Sequence, residues 1–125
     1  MQVDLNGNKP IFLQLAEVVE DNILKGIYIE DSQIPSTTEV AVQLKINPAT
    51  VNKGVNLLVD EGIVYKKRGL GMFVAPNARQ KIIAKRRRSF FEKYIFSLLE
   101  EATNLGITRD EVITMIERNT NNEHD

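Results

Sequence analysis

The 125-residue chain contains no cysteine. That excludes disulfides, thiolate metal sites and cysteine nucleophiles together. Its single histidine, His124, lies in the terminal stretch NTNNEHD, a poor place to hold an imidazole for catalysis, and it is assigned no role. No apolar run approaches the ~18 residues of a membrane span, and the opening MQVDLNGNKP lacks the basic-then-apolar layout of a signal peptide. The expectation is a cytoplasmic protein that does not engage a membrane. Asp, Glu and Lys are present, but none forms a recognisable acid/base or metal constellation, so no enzyme activity, metal or cofactor is expected. Internal repeats and low-complexity segments are also missing.

One further absence is local. From Gly62 through Phe91 there is no Asp or Glu, while Lys66, Lys67, Arg68, Arg79, Lys81, Lys85, Arg86, Arg87 and Arg88 fall within the same stretch. The overall net charge of −1 hides this segregation. An acid-free cationic stretch is a candidate footprint for phosphates, against the plainer reading of a basic surface kept for solubility.

Composition is otherwise ordinary, with 42% hydrophobic and 26% charged residues, as in a soluble globular protein of one domain, or a small domain plus an appendage. The most informative stretch is INPATVNKGVNLLVDE, residues 46–61. Asn47 suits a helix cap and Pro48 the first helical position, where no N–H is needed. Val51, Val55 and Leu58, flanked by Leu57 and Val59, form an inward stripe. The opposite side carries Ala49, Thr50, Asn52, Lys53 and Asn56, rich in hydrogen-bonding groups and short enough for close approach to another surface. In isolation, such a face reads first as ordinary solvated surface.

Its neighbours sharpen the choice. Residues 1–9 are polar, with Asn6-Gly7-Asn8 as turn material, and read as an arm. A first helix opens at Pro10, with Ile11, Leu15, Val18, Val19, Asn22 and Ile23 at helical spacing, and stops at Gly26. Residues 28–34 read as a connecting loop. Ser36-Thr37-Thr38-Glu39 is a capping box that opens a second helix, with Val40, Ala41 and Leu44 inward. Only Lys45 and Ile46 separate it from Asn47, which predicts a helix-turn-helix. IVYKK, the turn RGLG and MFVA then predict a β-hairpin, or wing. Ile63, Tyr65 and Phe73 are expected beneath it, with Lys66, Lys67 and Arg68 at the tip beside Gly69 and Gly71.

Residues 77–106 read as one long helix capped by Asn77 and ended by Gly106. Its second half carries Phe90, Phe91, Tyr94, Ile95, Leu98, Leu99, Ala102 and Leu105. A second capping box, Thr108 with Glu111, opens a last helix bearing Val112, Ile113 and Ile116. Faces this apolar on an appendage predict a symmetric dimer, through Phe90, Phe91, Tyr94, Ile95, Leu98, Leu99, Val112, Ile113 and Ile116; collapse onto the winged domain is the alternative. Phe90, Phe91, Tyr94 and Phe96 read as dimer core rather than as the lining of an effector pocket. The fold expected is mainly α with a small β-wing: a winged helix-turn-helix over residues 10–76, a C-terminal two-helix dimerisation segment over 77–120, and a disordered tail over 121–125.

The segments PIFLQL, IPSTTEVAVQL and INPATVNKGVNLLVDEGIVYKKRGLGMFV together resemble the N-terminal domain of the gluconate-repressor (GntR) family of bacterial transcription regulators, over residues 10–74. The short C-terminal part is similar to the YtrA-like subgroup, which lacks the large effector domain of its relatives. The resemblance implies a winged helix-turn-helix, a homodimer and, usually, repression by operator binding, often next to genes for membrane transporters. The departures from the family pattern matter. The second helix usually opens P-S-x-R, and Thr38 stands at its arginine position. The third usually opens S-R-x-T-V-R, with Asn47, Pro48, Thr50, Val51 and Asn52 at those positions, so both arginines are replaced. The wing pattern G-x-G-T-F-V falls on Gly69, Gly71, Met72, Phe73 and Val74, with Met72 at its threonine position. Arginine makes bidentate contacts with guanine and asparagine suits adenine, so a different operator is expected.

The function expected is a sequence-specific, DNA-binding transcription regulator, a homodimeric repressor of a transporter-linked operon. Its partners are a palindromic double-stranded operator and a second copy of itself, with any small-molecule effector unidentified. The DNA-binding residues expected are Ser36, Thr37, Thr38, Asn47, Thr50, Asn52, Lys53, Asn56, Lys66, Lys67, Arg68, Gly69 and Gly71. The alternative is a winged-helix protein-interaction module whose basic stretch binds an acidic partner. A docking face for protein would be expected to show apolar or aromatic anchors.

Overall fold

The computed structural model describes residues 3 to 122. They form two compact units that divide between Ala84 and Lys85.

The first unit opens with α1, Ile11–Leu24, which follows Pro10 and ends where Gly26 takes a left-handed conformation, φ 78°. The chain returns through a short strand, β1, Gln33–Ile34. Then comes α2, Thr37–Leu44, opened by the expected reciprocal cap: Glu39 N–H donates to Ser36 Oγ at 3.0 Å, and Ser36 N–H donates to the Glu39 carboxylate at 3.3 Å. Lys45, left-handed at φ 56°, turns the chain sharply into α3, Pro48–Asp60. There the Asn47 side chain accepts from Ala49 N–H at 2.8 Å, and Pro48 fills the first helical position.

β2, Val64–Lys67, and β3, Gly71–Val74, form the hairpin. β1 pairs antiparallel with the other edge of β3, so the sheet has three strands in the order β1-β3-β2. Part of the segment expected as a connecting loop is therefore a strand. Two residues leave too little alternation to read, and β1 exists because β3 offers it a ladder. The register pairs Val64 with Val74, Tyr65 with Phe73 and Lys66 with Met72. Because side chains alternate across a strand, Val64, Met72 and Val74 face the core and the Tyr65–Phe73 pair faces away from it. That corrects the expectation that Tyr65 and Phe73 pack beneath the hairpin; Ile63, just before β2, is buried as expected.

The core gathers Leu15, Val19 and Ile23 of α1, Val40 and Ala41 of α2, Val51, Val55 and Leu58 of α3, and the inner face of the sheet. α4, Ala78–Phe90, begins after a left-handed Asn77, and its first turns add fully buried Ala78 and Ile82 to the same cluster. The first compact unit thus runs on to Ala84, past Pro76.

Within the second unit, a five-residue π-helical segment, Phe91–Ile95, leads into α5, Phe96–Asn104. Gly106, at φ 71°, ends the run. α6, Arg109–Asn122, is opened by the Thr108–Glu111 capping box, Glu111 N–H donating to Thr108 Oγ1 at 3.1 Å. α5 and α6 are in contact, and each buries one residue there, Ala102 and Val112, both lining the groove between them. Helix continues beyond Arg118 to Asn122, so the part of the expected disordered tail at Asn121 and Asn122 is helical; residues 123–125 lie outside the described residues. Among the described residues no helix is long and apolar enough to cross a membrane.

Candidate nucleic-acid interface

α3 has one side in the core and the other in solvent, and its composition decides which is which. Val51, Gly54, Val55 and Leu58 are buried. Gly54 marks the crossing with α1: a Cβ built there would lie 2.6 Å from the Phe12 carbonyl oxygen. The opposite side, Ala49, Asn52, Lys53 and Asn56, is exposed, with Thr50 half-buried beside it.

Each of the three long polar side chains on that exposed side is held by a different element. The Thr37 hydroxyl, at the start of α2, donates to Asn52 Oδ1 at 3.2 Å. The Lys53 ammonium stands 4.2 Å from the centroid of the Phe12 ring of α1. Lys66 of β2 donates from Nζ to Asn56 Oδ1 at 2.9 Å. The polar face of α3 is thus arranged by α1, α2 and the wing, which lowers the entropy lost when it meets a ligand.

The wing is built with similar support. Tyr65 and Phe73 stack across the strands with ring centroids 5.6 Å apart. The Lys67 ammonium lies over them, 4.8 Å from Phe73 and 5.9 Å from Tyr65. Tyr65 Oη donates to Asp31 Oδ1 at 3.0 Å. Shielding from solvent first, then the hydrogen bond to Asp31 and the charge of that carboxylate, raise the phenol above its ordinary value. At the tip, Gln33 Nε2 donates to the Leu70 carbonyl at 2.7 Å. Gly71, at φ 125°, has no Cβ to collide with that amide, which would lie 2.6 Å away. Lys66, Lys67, Arg68, Gly69 and Leu70 are all exposed.

Of the residues expected at the interface, the structure brings Thr37, Asn52, Asn56 and Lys66 into direct contacts, and Lys53 and Lys67 into aromatic ones. Ser36 and Asn47 serve as caps, and Thr38 is exposed on the first turn of α2. Two cations of the acid-free stretch have partners inside the first unit: Arg79 donates to the Leu24 carbonyl and Lys81 to the Gly62 carbonyl, the latter at 3.0 Å. Sequence reasoning missed Phe12, Gln33, Asp31 and Gly54. Only Gly54 carried a signal, a glycine inside a helical pattern, which points to a close approach.

In the second unit, Phe90, Phe91, Tyr94, Leu98, Leu99, Ile113 and Ile116 are exposed and Ile95 is half-buried. Val112 instead lies inside the α5–α6 contact. A groove of about 380 Å³ between α5 and α6 is lined by Leu98, Ala102, Leu105, Val112, Met115 and Ile116.

Comparison with known proteins places this geometry. The chain is 28% identical over 107 residues to the HTH-type transcriptional repressor YtrA of Bacillus subtilis (strain 168), covering 86% of this chain and 82% of the repressor. A crystal structure of a transcriptional regulator of the GntR family from Bacteroides thetaiotaomicron superposes with a TM-score of 0.72 at 34% identity, over 90% of this chain and 98% of that one. The DNA-binding domain of AraR, in complex with operator ORX1, superposes with a TM-score of 0.56 at 29% identity, over 60% of this chain and 96% of that one. The family model for bacterial regulatory proteins of the gntR family matches residues 12–74. The chain therefore belongs to the GntR family of bacterial transcription regulators, in its YtrA-like subgroup, and not to a family of enzymes.

Proposed function

We propose that this protein is a homodimeric repressor that binds a palindromic operator in the cytoplasm and controls a transporter-linked operon. The observation that carries the reading is the exposed face of α3, where Asn52, Lys53 and Asn56 are each held in place by a neighbouring element beside a cationic wing. A face built to dock protein would present apolar or aromatic anchors there, and this one presents amides and an ammonium.

The N-terminal half of α3, with Thr50 and Asn52, enters the major groove; the first turn of α2, with Thr37 and Thr38, lies along the backbone; and the wing reaches the adjacent minor groove. The AraR domain bound to its operator supports this reading, since it is a relative of the same fold in a DNA complex. Neither Thr38, Pro48 nor Asn52 supplies the two parallel donors that an arginine brings to guanine, so the operator differs from those of arginine-bearing relatives. Two-fold symmetry places the half-site centres about one helical turn apart, or a multiple of it.

Fluorescence anisotropy with duplex DNA from upstream of the protein's own operon tests the reading. Binding is expected at least ~1000-fold tighter than to a scrambled duplex at the same salt concentration. Equal affinity for the two duplexes would overturn sequence-specific repression.

A further inference from the structure

We propose that Asn56 and Lys66 form a single phosphate clamp at the boundary between the two DNA grooves, so that Asn56 holds the backbone rather than reading a base. The proposal rests on the DNA-binding reading above and deepens it. A lysine ammonium has three donors and no acceptor, so the Asn56 atom that faces it at 2.9 Å must be the carbonyl oxygen. The Asn56 NH2 is thereby turned away from the wing, and the remaining Lys66 N–H groups are also donors. With one lone pair of the Asn56 carbonyl engaged by Lys66, the pair presents mainly donors and one positive charge, which suits the acceptor oxygens of a phosphodiester. It suits adenine less well, because the amide oxygen that must accept from the base is already engaged by a charged donor.

Placement leads to the same ligand. Asn56 lies in the third turn of α3, about 13 Å along the axis from Asn47, whereas such a helix contacts base edges with its N-terminal turns. With α3 in the major groove and the wing in the neighbouring minor groove, the strand that separates the grooves passes between these elements. The Asn56–Lys66 contact is a side-chain hydrogen bond that joins them. Asp60, one turn further along and lining the same shallow depression as Asn52, Lys53 and Asn56, repels phosphate and marks where the DNA path ends.

A double-mutant cycle on the full-length protein tests the clamp, using anisotropy with the upstream duplex and a scrambled duplex across a salt series. Asn56→Ala is expected to weaken binding to both duplexes alike, by about tenfold, and to leave the salt slope unchanged. Lys66→Met is expected to weaken both and to flatten the slope of log K against log salt by about 0.9, the release accompanying one neutralised phosphate. The double variant is expected to lose less than the product of the single losses, because both groups serve one phosphate. A loss confined to the upstream duplex for Asn56→Ala, or no loss on either, would overturn the clamp. The parent reading is judged separately on the wild type, whose failure to bind either duplex would overturn both. All variants are at exposed positions, and circular dichroism checks that they fold.

Discussion

At the scale of single residues, Gly54 shows how backbone and function share one position. Alanine is the better helix former by about 1 kcal/mol, so on propensity alone Gly54→Ala would stabilise α3. The Cβ it adds would sit 2.6 Å from the Phe12 carbonyl oxygen, a backbone atom that moves only if α1 moves. Overpacking of this kind costs about 1 to 3 kcal/mol, and the rigid neighbour places Gly54→Ala towards the upper end. The expected net effect is a loss of about 1 to 2 kcal/mol, read as a lower urea midpoint. Since Phe12 also carries the ring beneath the Lys53 ammonium, displacing α1 disturbs a side chain on the exposed face of α3 as well. An unchanged or higher midpoint would show that the two helices separate freely.

Among elements, those that announce themselves locally were the legible ones. The Ser36–Glu39 and Thr108–Glu111 boxes, the Asn47-Pro48 start and the Gly26 and Gly106 stops all concern groups within a few residues of one another, and each appears where the residue types place it. β1 was not legible, because two residues become a strand only through β3, far along the chain. Nor was the outward orientation of Tyr65 and Phe73, since their apolar rings suggest burial while register sets their side. The contacts Thr37–Asn52 and Lys66–Asn56 join residues that the sequence singled out, yet the pairing depends on how α2, α3 and the wing are assembled. The capping box offers a clean measurement at this scale. Ser36→Ala removes the acceptor for the Glu39 N–H and is expected to cost about 1 kcal/mol, whereas Ser36→Asp keeps an acceptor and is expected to retain most of the stability. Denaturant midpoints for the two variants, compared with wild type, separate a lost cap from a general intolerance at position 36.

For the whole molecule, the decisive quantity is the apolar surface of the second unit. Phe91, Tyr94, Phe96 and Leu105 are 56%, 57%, 54% and 66% exposed, in a unit whose buried apolar residues, among the described ones, are Ala102 and Val112. A soluble monomer seldom leaves so many large apolar side chains together in water, whereas a two-fold partner presenting the same surface would cover them. On this view, dimerisation and operator affinity are linked, because joining two DNA-reading units makes the second half-site contact intramolecular. Phe91→Glu and Leu99→Glu each place a carboxylate on that surface, and burying an unpaired charge is costly enough to disfavour association. Light scattering is expected to report a dimer for wild type and a monomer for both variants, with helix content retained. Affinity for a single half-site should stay as in wild type, because the Asn52, Asn56 and Lys66 contacts belong to the first unit. Affinity for the full palindrome should fall by about a hundredfold or more. A variant that is monomeric yet binds the palindrome as tightly as wild type would separate assembly from recognition and overturn the linkage.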